Sequence, residues 1–328
     1  APPPTVITEE AMQHIGDTVL AVDMGGTKLE TALVSSDGVI QSGSRQRRLT
    51  GQALSREAVE ANLRDAIALT LSSAAGPVVG AGVGSAGPVD LPVGSISPHN
   101  LPALHSFPIQ RLVESVSGLP TTLRLDGTCI ALAEHWLGAT RGSSTSMAIV
   151  VSTGVGGGII ADGRLLAGGT GNAGHIGQIH VAVEATEPEG STLEAVASGP
   201  SSVRYARSRG WTGHTGEELA AAFRAGDLMA EAATRRSAYF VGQAIASAAT
   251  LLDIDVVALG GGFANVRADY VEIVQASAVR NAIFPYARRV RVVPSGHAGD
   301  GPLLGAAALR FCADMLSRDI RSFAAASP

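Results

Sequence analysis

Cysteine is nearly absent: the 328 residues hold two, Cys129 and Cys312. Two thiols cannot build a disulfide framework or a four-cysteine zinc site, and the cytoplasm is the expected compartment. Charge is also thin, with 16% Asp, Glu, Lys and Arg, a formal net charge of −5 and no long basic run. A dedicated nucleic-acid or membrane-surface binder would need the electrostatic footprint that is missing here. No run of about 18 apolar residues occurs, so no membrane span is expected. The stretch Ala1 to Asp17 carries Pro2-Pro3-Pro4 but no basic-then-apolar leader pattern, and residues 1–18 are expected to form a flexible tail. What the chain has in quantity is apolar surface, 45% of its residues. That is enough for a large core and too much for disorder, over a length that suits about two domains.

Glycine punctuates this apolar chain in a repeated grammar. Val19-Leu20-Ala21-Val22-Asp23 reads as a buried strand, followed by the turn Met24-Gly25-Gly26-Thr27 and a second strand through Leu29, Thr31 and Leu33. Ser36-Asp37-Gly38 then turns the chain into Val39-Ile40. Ala58, Leu63, Ile67 and Leu71 share one face of a helix over Ser55 to Leu71, and Val78 to Val83 returns as a strand. Farther on, Met147 to Val151 is again a buried strand, Ser152 to Gly158 a glycine loop, and Ile159-Ile160 another strand. Strand, glycine loop and strand thus occur twice, about 130 residues apart, a symmetry of architecture rather than a short sequence repeat. Ala230 to Leu252 reads as a long helix, Val256 to Leu259 as a strand closed by Gly260-Gly261-Gly262, Arg289 to Val293 as a strand, and Pro302 to Leu316 as a final helix. Interleaved strands and helices predict α/β layers.

The first loop, Asp23-Met24-Gly25-Gly26-Thr27-Lys28, has the parts of a phosphate site. Adjacent glycines let backbone amides approach phosphate oxygens, forming an anion nest. Asp23 at the strand's end can hold a water of the Mg²⁺ that accompanies a nucleoside triphosphate, and Thr27 and Lys28 add a hydroxyl and a positive charge. A strand follows this loop, whereas the phosphate loops of nucleotide-binding βαβ units lead into a helix. In the second loop, Thr153, Gly154 and Gly156 are the candidate phosphate contacts. Gly261 and Gly262 could let an adenine ring lie against bare backbone. A plain tight turn is the competing reading of each glycine pair taken alone.

Taken together and in order, these loops resemble the ROK family of bacterial sugar kinases and related repressors, over roughly Val19 to Leu309. Gly84-Ser85-Ala86-Gly87-Pro88-Val89-Asp90 is similar to the family's Gly-x-x-Gly-Pro segment near the sugar, and Ser97-Pro98-His99-Asn100-Leu101 to its Pro-Asn-Leu stretch. Gly171-Asn172-Ala173-Gly174-His175-Ile176-Gly177-Gln178 resembles its Ala-Gly-Glu-Ile-Gly-His signature. Asp300-Gly301 and the helix after it look like the family's closing turn near the nucleotide.

The resemblance implies an α/β, two-lobed actin-like ATPase (ribonuclease-H-like) fold hinged around a cleft. Residues 19–124 and about 302–328 would form the N-terminal lobe, and residues 125–301 the nucleotide-binding lobe. It implies transfer of a phosphoryl group from ATP, with Mg²⁺, to the primary hydroxyl of a hexose or N-acetylated aminohexose. Asp126, in Leu125-Asp126-Gly127, stands where the family has its catalytic aspartate and would act as general base. An N-cap role at the helix Thr128 to Ala139 is compatible with that. Gly87, Asn100, Asp126, His175, Gln178 and Glu194 are the expected sugar contacts. Asp23, Gly25, Gly26, Thr27, Lys28, Thr153, Gly154, Gly156, Gly261 and Gly262 are the expected nucleotide and phosphate contacts, with Asp23 serving Mg²⁺ through water. A homodimer is the expected assembly.

Several positions depart from the family pattern. The Asn before the catalytic Asp is Leu125; the signature Glu is His175 and the signature His is Gln178. The zinc knuckle's cysteines have no counterpart in Glu184 to Glu194, so structural zinc is not expected. These exchanges should alter the preferred sugar or its affinity, because a site that hydrogen-bonds a hydroxyl discriminates strongly. His180 is read as a strand position. About 18 residues precede Val19, too few for the helix-turn-helix region of a family repressor. The rival expectation is a sugar-binding protein with impaired catalysis.

Overall fold

Uninterrupted apolar strands need cover on both faces, and Val19 to Val22 are fully buried. In the computed structural model, which describes residues 17–181, 188–297, 299–316 and 320, they lie in β1 (Thr18–Met24). After it come β2 (Lys28–Ser35), β3 (Gln46–Leu49), α1 (Arg56–Ser72), β4 (Val78–Ser85), the short hairpin of β5 (Val89–Asp90) and β6 (Ser95–Ile96), α2 (Ile109–Ser117), β7 (Thr121–Leu125) and α3 (Asp126–Trp136). Five of these strands form a sheet in the order β3-β2-β1-β4-β7. β1 and β2, and β2 and β3, pair antiparallel, while β1, β4 and β7 run parallel. Val59, Leu63, Ile67, Leu112 and Val113 of the two covering helices close over Leu20, Val22, Leu33, Val83 and Leu123. Ser55 starts α1 by accepting the Ala58 N–H at 3.3 Å.

The second half follows the same plan. Its elements are β8 (Ser146–Val151), β9 (Val155–Ala161), β10 (Arg164–Leu165), α4 (Leu193–Ala197), α5 (Gly199–Ser208), α6 (Gly216–Arg224), α7 (Leu228–Leu252), β11 (Val256–Gly260), α8 (Tyr270–Asn281), β12 (Arg291–Pro294) and α9 (Gly301–Phe311). The sheet order β10-β9-β8-β11-β12 repeats the first, with the same two antiparallel and two parallel pairings. The helix α7 buries mostly alanine, and Gly242 lets its backbone meet Val274 and Ser277 of α8. The chain divides into two units, one running to Cys129 and resuming at Pro302, the other Ile130–Gly301. It passes between them inside α3 and at the start of α9.

Two glycines decide how closely the helices of the first unit approach. A Cβ on Gly82 of β4 would overlap the Ala306 carbonyl of α9, and one on Gly305 would overlap the Cys129 carbonyl of α3. Backbone packs on backbone here, which no larger residue allows.

Some boundaries differ from those the sequence suggested. The helix expected over Thr128 to Ala139 begins at Asp126 and ends at Trp136. The buried Glu134 carboxylate takes the Ala139 N–H at 2.8 Å and draws the chain out of helix. Val39-Ile40 forms only a bridge, between Val34 and Ile40, and β3 supplies the third strand. The last helix stops at Phe311, with a 3₁₀ turn at Ala313–Met315 beyond it. Most of the expected tail (1–16), part of the knuckle region (182–187) and most of 317–328 lie outside the described residues.

Candidate functional site

In the first unit the candidates gather where parallel strands end, the usual place for a ligand crevice in open α/β sheets. Register sets Asp23 beside Gly84 and Ser85 beside Leu125, so β1, β4 and β7 finish level and Asp126 follows directly. The turn after β1 is tight: Gly25 N–H donates to the Lys28 carbonyl at 3.0 Å, and Thr50 Oγ1 donates to the Gly25 carbonyl at 2.8 Å. The Asn100 amide lies where a Cβ on Gly26 would be, so a side chain at Gly26 would have to displace it. Gly87 joins the same edge: its carbonyl accepts from His99 N–H at 3.3 Å, and Ala86 N–H donates to the Met24 carbonyl at 3.0 Å. Asp23, Gly25, Gly26, Gly87, Asn100 and Asp126 are therefore brought together. Thr27 is exposed at the tip of the turn.

The electrostatics of this edge are uneven. Asp23 has its pKa pushed up to about 7, first by burial and then by the charges of Asp126 and Glu30, with Lys28 and Arg45 pulling the other way. Glu30 sits directly across the ladder from Asp23, an unfavourable like-charge pairing. It is offset by Lys28 Nζ at 2.7 Å, Arg45 Nε at 3.1 Å and Arg47 Nη2 at 2.8 Å. Burial alone would raise the Glu30 pKa; hydrogen bonds from these three cations bring it down to about 2. The ammonium of Lys28 is thus turned to Glu30. Asp126 opens α3, and its Oδ1 accepts the Gly127 N–H at 2.6 Å. The N-terminal end of the helix dipole favours its negative charge. Gly84 leaves 3.1 Å between its would-be Cβ and Cys129 Sγ, allowing this helix start to sit against β4.

In the second unit the loop after β8 is short, Ser152 to Gly154, closed by Ser152 N–H to the Gly154 carbonyl at 2.8 Å. Gly156 lies within β9 opposite Val150, not in the loop. Glu194, in the first turn of α4, reaches this loop: its Oε2 accepts the Val155 N–H at 2.9 Å, and its Oε1 accepts from Gln178 Nε2 at 3.2 Å. A side chain on Gly154 would stand 2.5 Å from the same carboxylate. Gln178, Glu194 and the loop therefore form one cluster. His175 Nδ1 instead donates to the Asn172 carbonyl at 2.9 Å, and His180 pairs with Ser191 Oγ within a bridge to Thr192. Gly261, with φ +102°, presses on the Val151 backbone, and Gly262 faces Ser152.

Beside these glycines opens a cavity of about 380 Å³, lined among others by Thr153, Gly199, Val203, Thr215, Gly262 and Phe263. Its apolar walls and flanking helix N-termini suit a purine nucleoside. Sequence reasoning found Gly262 and Thr153 but not the residues of α5 and α6. One signal was present: Thr215 and Glu218 form a reciprocal capping box that marks the start of α6. Phe263 is buried and also lines the cavity.

Two α/β units with one strand order, each turning on glycine after its first central strand, define the actin-like ATPase fold. The chain belongs to the ROK family, whose sequence profile matches residues 19–311. It is similar to an N-acetylmannosamine kinase of Shigella boydii serotype 18, 33% identical over 299 residues, covering 89% of this chain and 98% of that protein. Among solved structures it is similar to a ROK hexokinase from Thermus thermophilus, with 31% identity, TM-score 0.74, and 89% and 97% of the two chains covered. It is also similar to a ROK family glucokinase from Streptomyces griseus in complex with glucose and AMPPNP, with 28% identity, TM-score 0.79, and 89% and 98% covered. Among the described residues no helix is long and apolar enough to cross a membrane. No group of three His, Cys, Asp or Glu among them could hold a metal ion.

Proposed function

We propose that this chain transfers the terminal phosphoryl group of ATP to the primary hydroxyl of a hexose or N-acetylated aminohexose, with Asp126 as general base. The observation that carries the reading is the pair Asp23 and Asp126, at the level ends of β1 and β7 on either side of β4, with the glycine turn directly after Asp23 and the charge of Asp126 raising the Asp23 pKa. Kinase relatives that cover nearly the same length support it. Asp23 fits a hydrated Mg²⁺, since a buried carboxylate short of positive charge gains most from a divalent cation. Gly25, Gly26, Thr27, Thr153 and Gly154 would meet phosphate oxygens through main-chain N–H groups and hydroxyls, and the cavity beside Gly262 would take the base. When bound, Mg²⁺ and the main-chain donors supply charge neutralisation, which is most of what phosphoryl transfer needs. Asp126 accepts the proton of the attacking hydroxyl, while Asn100, Glu194, Gln178 and His175 hold the remaining hydroxyls. Homodimer formation belongs to the same reading.

Replacing Asp126 by Asn tests this. Turnover should fall at least about 100-fold with sugar binding retained, because an amide keeps the shape but cannot take the proton. Near-native turnover would remove Asp126 from the chemistry. A second reading, sugar binding without turnover, has its own support: Glu194 already occupies the Val155 N–H and Glu30 the Lys28 ammonium. An ADP-release assay over glucose, mannose, N-acetylglucosamine and N-acetylmannosamine separates the two.

A further inference from the structure

An open surface cavity, about 550 Å³ and lined mostly by exposed residues, adjoins the first and shares His214 with it. Its walls are Arg204, Arg207 and Ser208 of α5 together with Trp211, Thr212 and His214. Arg204 and Arg207 are three apart on the helix and so lie on one face. Arg204 Nη2 donates to Ser201 Oγ at 2.8 Å. Among the described residues neither Arg204 nor Arg207 forms an ion pair. The next arginine, Arg209, stacks on the Tyr205 ring at 4.5 Å. Arg204, Arg207 and Arg209 thus place three guanidiniums along the last turns of α5 and its end, in a chain of net charge −5. The acids nearest in sequence are directed elsewhere. Glu218 Oε2 accepts the His214 and Thr215 N–H groups at 2.6 and 3.0 Å, and Glu217 lines the first cavity.

We propose that this cavity binds a phosphate group, held by Arg204 and Arg207 with Thr212 as an additional donor and His214 at the passage to the first cavity. Planar, forked guanidiniums match phosphate oxygens in charge and geometry. Two sources supply that chemistry: a free condensed phosphate, or a phosphate ester on the ribose of a nucleotide seated in the first cavity. The free-anion source is independent of the kinase reading, whereas the ribose ester rests on the nucleotide placement proposed above.

Isothermal titration calorimetry on the full chain tests it. Tripolyphosphate is titrated after AMPPNP has been added to saturation, AMPPNP binding having first been measured alone, and ADP is compared with ADP carrying a 3′-phosphate. Free tripolyphosphate binding one-to-one, weakened about tenfold or more in Arg204→Gln/Arg207→Gln and unchanged in Arg209→Gln, supports the site and assigns the free anion. A 3′-phosphate that tightens ADP binding about fivefold or more, with the gain lost in the double variant, supports the site and assigns the nucleotide. Failure of both anions to respond to Arg204 and Arg207 overturns the proposal. If AMPPNP itself does not bind, the kinase reading fails, while the dependence of tripolyphosphate binding on the two arginines is still read directly.

Discussion

Replacing Asp23 by Asn should make the protein more stable at alkaline pH and leave it little changed under acid conditions. Asp23 is 7% exposed and its pKa is raised from the usual 3.8 to about 7, mainly by burial and then by Asp126 and Glu30. Between these two values the folded chain holds a proton that the unfolded chain has released. Stability therefore falls as pH rises through this window, and the loss is complete above about pH 7. A shift of about three units, at about 1.36 kcal/mol each, sets a ceiling near 4 kcal/mol, and relaxation around the carboxylate lowers this to about 2–4 kcal/mol. Asn has no charge to desolvate. Thermal melts without Mg²⁺ or nucleotide should show Asp23→Asn above wild type by roughly 5–15 °C at pH 8.5 and by much less at pH 4.5. A shift equal at both pH values, or none at pH 8.5, would refute the reasoning. The variant should also lose turnover, so stability and activity would move in opposite directions, as strained functional positions do.

Two other perturbations follow from the packing and the cluster at Glu194. Gly82→Ala places a methyl group against the Ala306 carbonyl, where α9 cannot rotate aside; denaturant unfolding should show a loss of about 3 kcal/mol, and Gly76→Ala, which meets open space, a change within about 0.5 kcal/mol. Gln178→Leu removes the exposed amide that donates to Glu194 Oε1 at 3.2 Å. Steady-state kinetics should then show the sugar KM raised about fivefold, with kcat changed far less, and an unchanged KM would remove Gln178 from the positioning of Glu194.

The elements readable from sequence were those whose burial is written in side-chain size. Val19 to Val22 and Met147 to Val151 are apolar runs ended by glycine, and α7 keeps its helical period through 25 residues. The helix α5 was not legible because its buried face is Gly199, Ser201, Ser202, Val203 and Ala206, which a hydrophobic period does not register. The same holds for α8, which buries Ser277 and Ala278 beside Tyr270 and Val274. At the candidate site, identities could be placed but partners could not. That Lys28 turns to Glu30 depends on the ladder, which sets Glu30 between Asp23 and Arg47 across neighbouring strands. That Gly26 makes room for Asn100 depends on the loop from Ser97 folding back, through Ser97 N–H to the Pro88 carbonyl at 2.9 Å. These are long-range facts, which no local pattern encodes.

The segment that carries Gln178 is joined to the one that carries Glu194 by main-chain bonds: Val181 N–H to the Ser191 carbonyl at 3.0 Å and Leu193 N–H to the Ile179 carbonyl at 2.9 Å. His180 lies opposite Thr192 between them and bonds Ser191 through its ring. This is a short antiparallel ladder, and its main-chain bonds fix the spacing of the two segments. Gln178 precedes the ladder on one side and Glu194 follows it on the other, so the carboxylate is held by Gln178, by the Val155 N–H and by the start of α4. Each such bond contributes only about 1 kcal/mol net, and the arrangement is rigid only while all are made. On the proposed reading, the hydroxyl that meets Glu194 is therefore selected by the ladder as much as by the carboxylate itself. Substitutions at Ile179, Val181 or Ser191 would then act on sugar preference without touching the sugar.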